Sequence, residues 1–369
     1  MLKIDLFFCD NPYQSNQLFA LSLKNALQEQ GAEVRLLSLE EGRQHETLLK
    51  VFNDPPDVTC SFADINAAGV PIGEMWQIPH ISFLVDPFLY YTHQAKGPFC
   101  CVTSADMEDA ELLKEFGCKK VLFLPHAGEE IRTSALDRPL DIVFFGTAID
   151  IEEIEARWRE FKYGSLLLQA AELVLSPCGP SCFKALVQMG VVPYEPLFLE
   201  LFGELDLYIR GKDRLELIQS LNGLPIALYG DKIGKKGWAD LLPNQSSLKI
   251  FPAISFGETI RIMRRTKILL NSNPRLKHGS HERIFYGAAA GACIVTGKNC
   301  FIDQHFVSDK ELLTYTYGKW GDLYEKVEDL LRNPLKLEEI SICGKEKVLK
   351  HHTWKNRAAT LLQILPEWI

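Results

Sequence analysis

The chain lacks any apolar run near the ~20 residues that a membrane-spanning helix needs. Its opening, MLKIDLFFCD, reads as a first strand, with no apolar core of a secretory leader behind it. No Gly-x-Gly-x-x-Gly follows that strand, which argues against a dinucleotide oxidoreductase. A basic excess is missing too: the net charge of −8 leaves no chain-wide footprint for nucleic acid. Ten cysteines are scattered without two pairs at zinc spacing. Cys178 and Cys182 stand alone, and adjacent Cys100 and Cys101 on a strand would face opposite ways into a core. The expectation is a reduced, cytoplasmic protein with no metal and no cofactor. No repeat, coiled coil or low-complexity tract interrupts it.

What is present is an alternation. At 369 residues, 47% of them hydrophobic, the chain can bury two cores. A strand at 3–8 is followed by a polar loop, Asp10 to Asn16, and by a helix for which Ser15 is the expected N-cap. Leu18, Leu21, Leu23, Ala26 and Leu27 would form its buried side, and Gly31 its end. Strands at 33–39, 57–62, 81–85, 99–103 and 121–124, with a helix over 107–116, argue for a parallel sheet. Asp137-Arg138-Pro139 reads as a linker. A second series opens with DIVFFGT at 141 and contains an unusually long helical crossover, over 152–175 and 195–221. Strands at 226–229, 248–251, 267–271 and 312–315 follow, with helices over 257–265, 320–332 and 335–350 and a last one from His352. The fold class is therefore α/β: two Rossmann-like, doubly wound domains, 1–137 and 138–351, with a helical insertion in the second. Two such domains imply a cleft, with ligands at the carboxyl ends of the strands.

The stretch LLNSNPRLKHGSHERIFYGAAAGACIVT, residues 269–296, carries most of the chemistry. A strand runs into a loop bearing Arg275, Lys277, His278, Gly279, Ser280 and His281, and the loop opens a helix rich in small residues. Free N–H groups and the positive end of the helix dipole make such a turn a candidate anion site.

The string HERIFYGAAAGACIVTG resembles the donor-binding segment of group-1 glycosyltransferases of the GT-B fold, in particular the branch that includes spore-maturation CgeB-like proteins. Arg283, Phe285, Ala288, Ala290, Gly291, Ala292, Val295 and Thr296 fit that family's pattern, and Tyr286 stands where many relatives place a ribose-binding glutamate. DIVFFGT, the segment LYIRGKDRLELIQSL before PIALYGD, and the closing HTWKNRA extend the likeness over 139–365. The resemblance implies a metal-independent, retaining glycosyltransferase acting from a nucleotide-sugar on a glycan, protein or small-molecule acceptor. It also implies that the last helix, 352–369, packs back on the first domain.

Candidate site residues follow. Arg275, Lys277 and Arg283 would neutralise a nucleotide diphosphate leaving group, with Glu282 beside them. His278 and His281 would bind phosphate or a sugar hydroxyl, and Gly279 and Ser280 would donate backbone N–H groups. Gly146 and Thr147 would line the phosphate, Tyr229, Gly230 and Pro252 the nucleoside, and Tyr286 the ribose. On the acceptor side, Asp86 is a candidate general base or acceptor-positioning group, and His126 a second cleft candidate. The plainer readings are a solvated basic turn, surface histidines, ordinary βα turns, a turn aspartate and a core tyrosine. A non-catalytic nucleotide-sugar-binding or regulatory protein, or another GT-B enzyme such as an epimerase or phosphorylase, are the alternatives. Nucleic acid is not expected as a partner, and peripheral membrane contact is left open.

Overall fold

The computed structural model describes the chain apart from residues 10, 12, 40–43, 63–65, 68–69 and 132–136. Asp10 and Pro12 of the expected loop thus lie outside the described residues. The chain divides into two compact units. One comprises Met1–Glu130, Ser255–Gly257 and Leu349–Ile369, the other Ile131–Ile254 and Glu258–Val348.

The first unit is built on six parallel strands: β1 (Lys3–Phe8), β2 (Glu33–Ser38), β3 (Val58–Ser61), β4 (His80–Leu84), β5 (Cys100–Ser104) and β6 (Lys120–Phe123). Their order is β2-β1-β3-β4-β5-β6. Strands β3, β4 and β5 are buried at every residue, as a sheet covered on both faces requires. Three of their polar residues satisfy one another: the His80 ring lies 2.8 Å from Thr59 Oγ1 and 3.0 Å from Ser61 Oγ. Burial pushes that imidazole down to about 3, so it is neutral. Cys100 and Cys101 are both buried, and all ten cysteines are free.

Helix α1 (Ser15–Glu29) differs from expectation at its start. Ser15 is its first helical residue, and Asn11 takes the capping role, its Oδ1 accepting the Ser15 N–H at 2.8 Å. Phe19, Leu23, Ala26 and Leu27 are buried, whereas Leu21 faces outward. Gly31, at φ +91, ends the helix in the left-handed region that glycine tolerates. A helix over Met107–Glu115 (α2) joins β5 to β6.

In the second unit, β7 (Leu140–Phe145), β8 (Ile226–Tyr229), β9 (Leu248–Phe251), β10 (Thr266–Asn271), β11 (Cys293–Gly297) and β12 (Leu313–Tyr315) are all parallel. Their order, β9-β8-β7-β10-β11-β12, reverses between β7 and β10. That reversal is the switch point at which open parallel sheets bind ligands. Between β7 and β8 lie α3 (Ile151–Glu160), α4 (Gly164–Leu175), α5 (Cys182–Gln188) and α6 (Pro196–Ser220). The expected helix over 152–175 is thus two. They break where a Cβ on Gly164 would sit 1.7 Å from Trp158 O, so only glycine fits the tight turn. Helix α5 lies between the two expected helical stretches, over residues for which none was expected. Then come α7 (Phe256–Met263), α8 (Glu282–Ala289), α9 (Cys300–His305), α10 (Trp320–Arg332) and α11 (Pro334–His351), of which the first two residues of α7 and the last three of α11 belong to the first unit.

The last helix, α12 (Trp354–Trp368), belongs to the first unit and packs against α1. Thr353 caps it, accepting the Asn356 N–H. Arg357 donates to Pro125 O at 2.7 Å and to His126 O at 2.9 Å, and Lys120 donates to Trp368 O at 2.6 Å.

Candidate active site

The loop from Ser272 to His281 leaves β10 at the switch point and enters α8. His281 stands at the N-cap position with extended backbone and gives no side-chain cap, so the first N–H groups of α8 face outward from the helix end without that local acceptor. Ser280 is fully buried, and its Oγ has no hydrogen-bond partner among the described residues. The Asn273 Nδ2 is in the same state. Buried donors of this kind are rare unless a ligand completes them.

Around this loop the insertion helix α6 places charge where a core would be apolar. Asp206, Asp213 and Arg214 are buried in it. Asp213 Oδ2 accepts from Ser272 Oγ at 2.5 Å and from Tyr315 OH at 3.1 Å, which ties α6 to the ends of β10 and β12. Arg214 Nη1 donates to Thr147 O at 3.1 Å, just past the end of β7, while its Nε has no acceptor among the described residues. Asp206 pairs with Arg210 at 2.9 Å, and Arg275 Nε lies 4.0 Å from its other oxygen. Lys277 reaches back to Val174 O, at the end of α4, at 2.7 Å. Arg283 Nε is 3.5 Å from Glu282 Oε1, and His281 Nδ1 is 3.2 Å from Glu282 Oε2.

The electrostatics have a direction. Burial pushes the Asp213 carboxyl up to about 6, against the pull of the Ser272 and Tyr315 hydroxyls and the nearby Arg214 and Lys277. Burial, and then Arg210 and Arg283, push Arg214 down to about 9; Asp206 and Asp213 offset this in part. Burial likewise lowers His281, favouring its neutral form. Arg214 is thus a buried cation that donates to the Thr147 carbonyl and is crowded by Arg210 and Arg283, with Asp206 and Asp213 only partly offsetting the cost. A negative group placed beside it would relieve both penalties.

The other expected residues fall as follows. Gly146 and Thr147 extend β7, but the Gly146 N–H donates to Tyr229 O and its carbonyl accepts from Trp238 Nε1. That N–H is spent within the protein rather than offered to a phosphate. Gly230 packs on the same turn, where a Cβ would sit 2.0 Å from Gly146 O. Tyr229 stacks on Phe251 at 4.7 Å and Phe145 lies 5.4 Å away, a ledge of rings over the ends of β7, β8 and β9 with Pro252 exposed beside it. Tyr286 is fully buried in α8, so its ring offers no surface to a ribose. In the first unit, Asp86 is exposed just beyond β4. His126 is buried beyond β6, its ring 5.9 Å from Phe19. Among the described residues no group of three or more His, Cys, Asp or Glu side chains is placed to hold a metal ion, and no helix is long and apolar enough to cross a membrane.

Arg210, Arg214, Asp206 and Asp213 were not anticipated. The signal was present: positions 206, 210, 213 and 214 share one face of α6 at i, i+4, i+7 and i+8, among the buried Leu205, Tyr208 and Ile209.

Comparison with known proteins bears on this arrangement. Residues 212–363 match the family model described as glycosyl transferase-like. No curated protein matches the sequence. Among solved structures, Anabaena HepE in complex with UDP-glucose superposes with a TM-score of 0.55 at 10% identity, over 98% of this chain and 99% of that one. AviGT4, a glycosyltransferase involved in avilamycin A biosynthesis, gives 0.59 at 12%, over 100% and 98%. Sucrose-phosphate synthase from Thermosynechococcus elongatus gives 0.59 at 9%, over 100% and 99%.

The fold is that of the GT-B glycosyltransferases. The α/β expectation, with two parallel-sheet domains, is met, and the glycosyl transferase-like match over residues 212–363 agrees with the expectation of a glycosyltransferase. The matched span of the glycosyl transferase-like model opens inside α6, at the turn that carries Asp213 and Arg214.

Proposed function

We propose that this protein is a glycosyltransferase that binds a nucleotide-activated sugar in its second unit and transfers the sugar, with retention and without a metal, to an acceptor. The carrying observation is the buried Arg214 at the sheet's switch point, crowded by Arg283 and only partly offset by Asp206 and Asp213, together with the unpartnered Ser280 hydroxyl that precedes the N-terminus of α8. As the glycosidic bond to the donor phosphate breaks, negative charge grows on the leaving diphosphate. Fixed cations and N–H donors stabilise that charge without reorganising. In this reading Arg214 and Arg283 face the diphosphate, with Arg275 and the loop N–H groups around it, and the Phe145–Tyr229–Phe251 ledge lies towards the nucleoside. Lys277 and Glu282 act from within the loop as its anchors. His278 is assigned to a sugar or phosphate oxygen.

The acceptor-side roles rest on the ends of strands in the first unit: Asp86, just beyond β4, positions the acceptor hydroxyl, and His126, beyond β6, is the second candidate on that side. The finer likeness to the CgeB-like branch rests on residues 283–296. Ten free thiols suit a reducing compartment, so we place the protein in the cytoplasm. The test is calorimetry with a panel of UDP-, GDP-, TDP- and ADP-sugars, with and without chelator. Selective, chelator-indifferent binding supports the reading, and no binding by any of them overturns it. The anomeric configuration of the product, read by NMR, checks retention.

A further inference from the structure

The loop that forms the candidate site is held from behind. Asn299, at the N-cap of α9, donates from Nδ2 to Leu276 O at 2.7 Å and to Gly279 O at 3.0 Å, while its Oδ1 accepts the Ile302 N–H at 2.8 Å. The next residue adds a third tie, the Cys300 N–H to Lys277 O at 3.1 Å. Two adjacent residues therefore bind three carbonyls of one short loop.

This has a directional consequence. In a planar trans peptide the carbonyl of residue i and the N–H of residue i+1 point to opposite sides. Drawing the Leu276, Lys277 and Gly279 carbonyls towards α9 therefore turns the N–H groups of Lys277, His278 and Ser280 away from it. Successive amides turned to one side make an anion-binding concavity. The Ser280 hydroxyl, buried and unpartnered, belongs to the same turn.

We propose that Asn299 is a positioning residue: by pinning the loop carbonyls to α9 it pre-orients the backbone amides that grip the donor's diphosphate. It touches no substrate in this account. The inference rests on the nucleotide-sugar reading above and assigns to it a residue outside the 269–296 stretch.

Asn299→Asp is the informative substitution. The carboxylate is nearly isosteric and still accepts the Ile302 N–H, so α9 keeps its cap, but both amide donors to the loop are lost and oxygen faces oxygen. The probe is inorganic pyrophosphate, which needs no knowledge of the base, titrated calorimetrically into the full chain. The expected result is at least a tenfold loss of pyrophosphate affinity. The affinity of the matching nucleoside, which has no phosphate, should change less than twofold. Val327→Ala, in the buried face of α10, supplies a variant of lowered thermal stability that does not touch the loop. It should bind pyrophosphate as the wild type does. Asn299→Asp with wild-type pyrophosphate affinity overturns the inference and leaves the nucleotide-sugar reading intact. An equal loss for pyrophosphate and nucleoside, or an equal loss in Val327→Ala, also overturns it. If the wild type binds neither pyrophosphate nor any nucleotide-sugar, both fall.

Discussion

Replacing Arg214 by methionine separates stability from ligand binding. A drop from the ordinary 12.5 to about 9 corresponds to about 5 kcal/mol of destabilised positive charge in the ligand-free fold. A guanidinium does not give up its proton in a protein, so this penalty is carried by the fold rather than relieved by titration. Methionine removes it, forfeits the hydrogen bond to Thr147 O at about 1 kcal/mol, and fills similar volume with an apolar side chain. The net expectation is an apo protein about 1–4 kcal/mol more stable, the range seen when buried charges give way to well-packed apolar groups. For a unit of this size each kcal/mol raises Tm by roughly 2–4 °C. The same change should weaken nucleotide-sugar binding by about 100-fold or more, the loss expected when a buried charge-assisted contact to phosphate is removed. Differential scanning calorimetry, with and without ligand, reads both effects. A variant that melts lower than wild type without ligand, yet keeps full ligand-induced stabilisation, would refute the reasoning.

Other consequences are as direct. The Asp213 carboxyl is pushed up in the fold, from 3.8 to about 6, so the folded state holds a proton that the unfolded state has released between those values. Stability from this group is therefore full below about pH 4 and falls by about 3 kcal/mol as pH rises through 6. Asp213→Asn should flatten that slope in urea titrations across pH 4–7, and an unchanged slope would contradict the assignment. Gly230→Ala would put a Cβ 2.0 Å from Gly146 O, so the β7 and β8 turns must part. A loss of about 2 kcal/mol or more is expected on unfolding, the order for a forced overpacked contact. Burial raises the Cys60, Cys101, Cys182 and Cys293 thiols, whereas Cys178 and Cys300 are exposed. Titration with a thiol reagent should modify Cys178 and Cys300 first in the native state, and early modification of Cys60 or Cys293 would show that the cores are open.

The regular parts of the fold were legible because each strand is a short apolar run and each long helix carries a periodic buried face. DIVFFGT and the run from Leu269 to Thr296 fell where they were expected as β7 and as β10–loop–α8–β11. Local chemistry was harder to read. Ser15 looked like a cap because a hydroxyl before an apolar periodic run usually is one, yet Asn11, four residues earlier, takes the role. Gly146 looked like a phosphate turn, but Trp238, 92 residues away, and Tyr229 occupy its backbone groups. Tyr286 occupies a helix position that could face either way, and packing turned it inward. Arg214 and Asp213 escaped notice because a charged pair in a helix ordinarily faces water. Only the tertiary contacts to Thr147, Ser272 and Tyr315 show that this one does not. Asn299 sits outside the motif altogether and acts through backbone atoms, which leave no mark in a sequence.

A nucleotide-sugar bound at the switch point of the second unit should protect the backbone around it. Hydrogen–deuterium exchange of the full chain, with and without UDP-glucose or whichever donor calorimetry selects, reads that protection segment by segment. Slowed exchange is expected in peptides covering the 272–285 loop and helix start and residues 206–214 of α6. Unchanged exchange in both, with protection confined to other segments of the second unit, would contradict binding at the switch point.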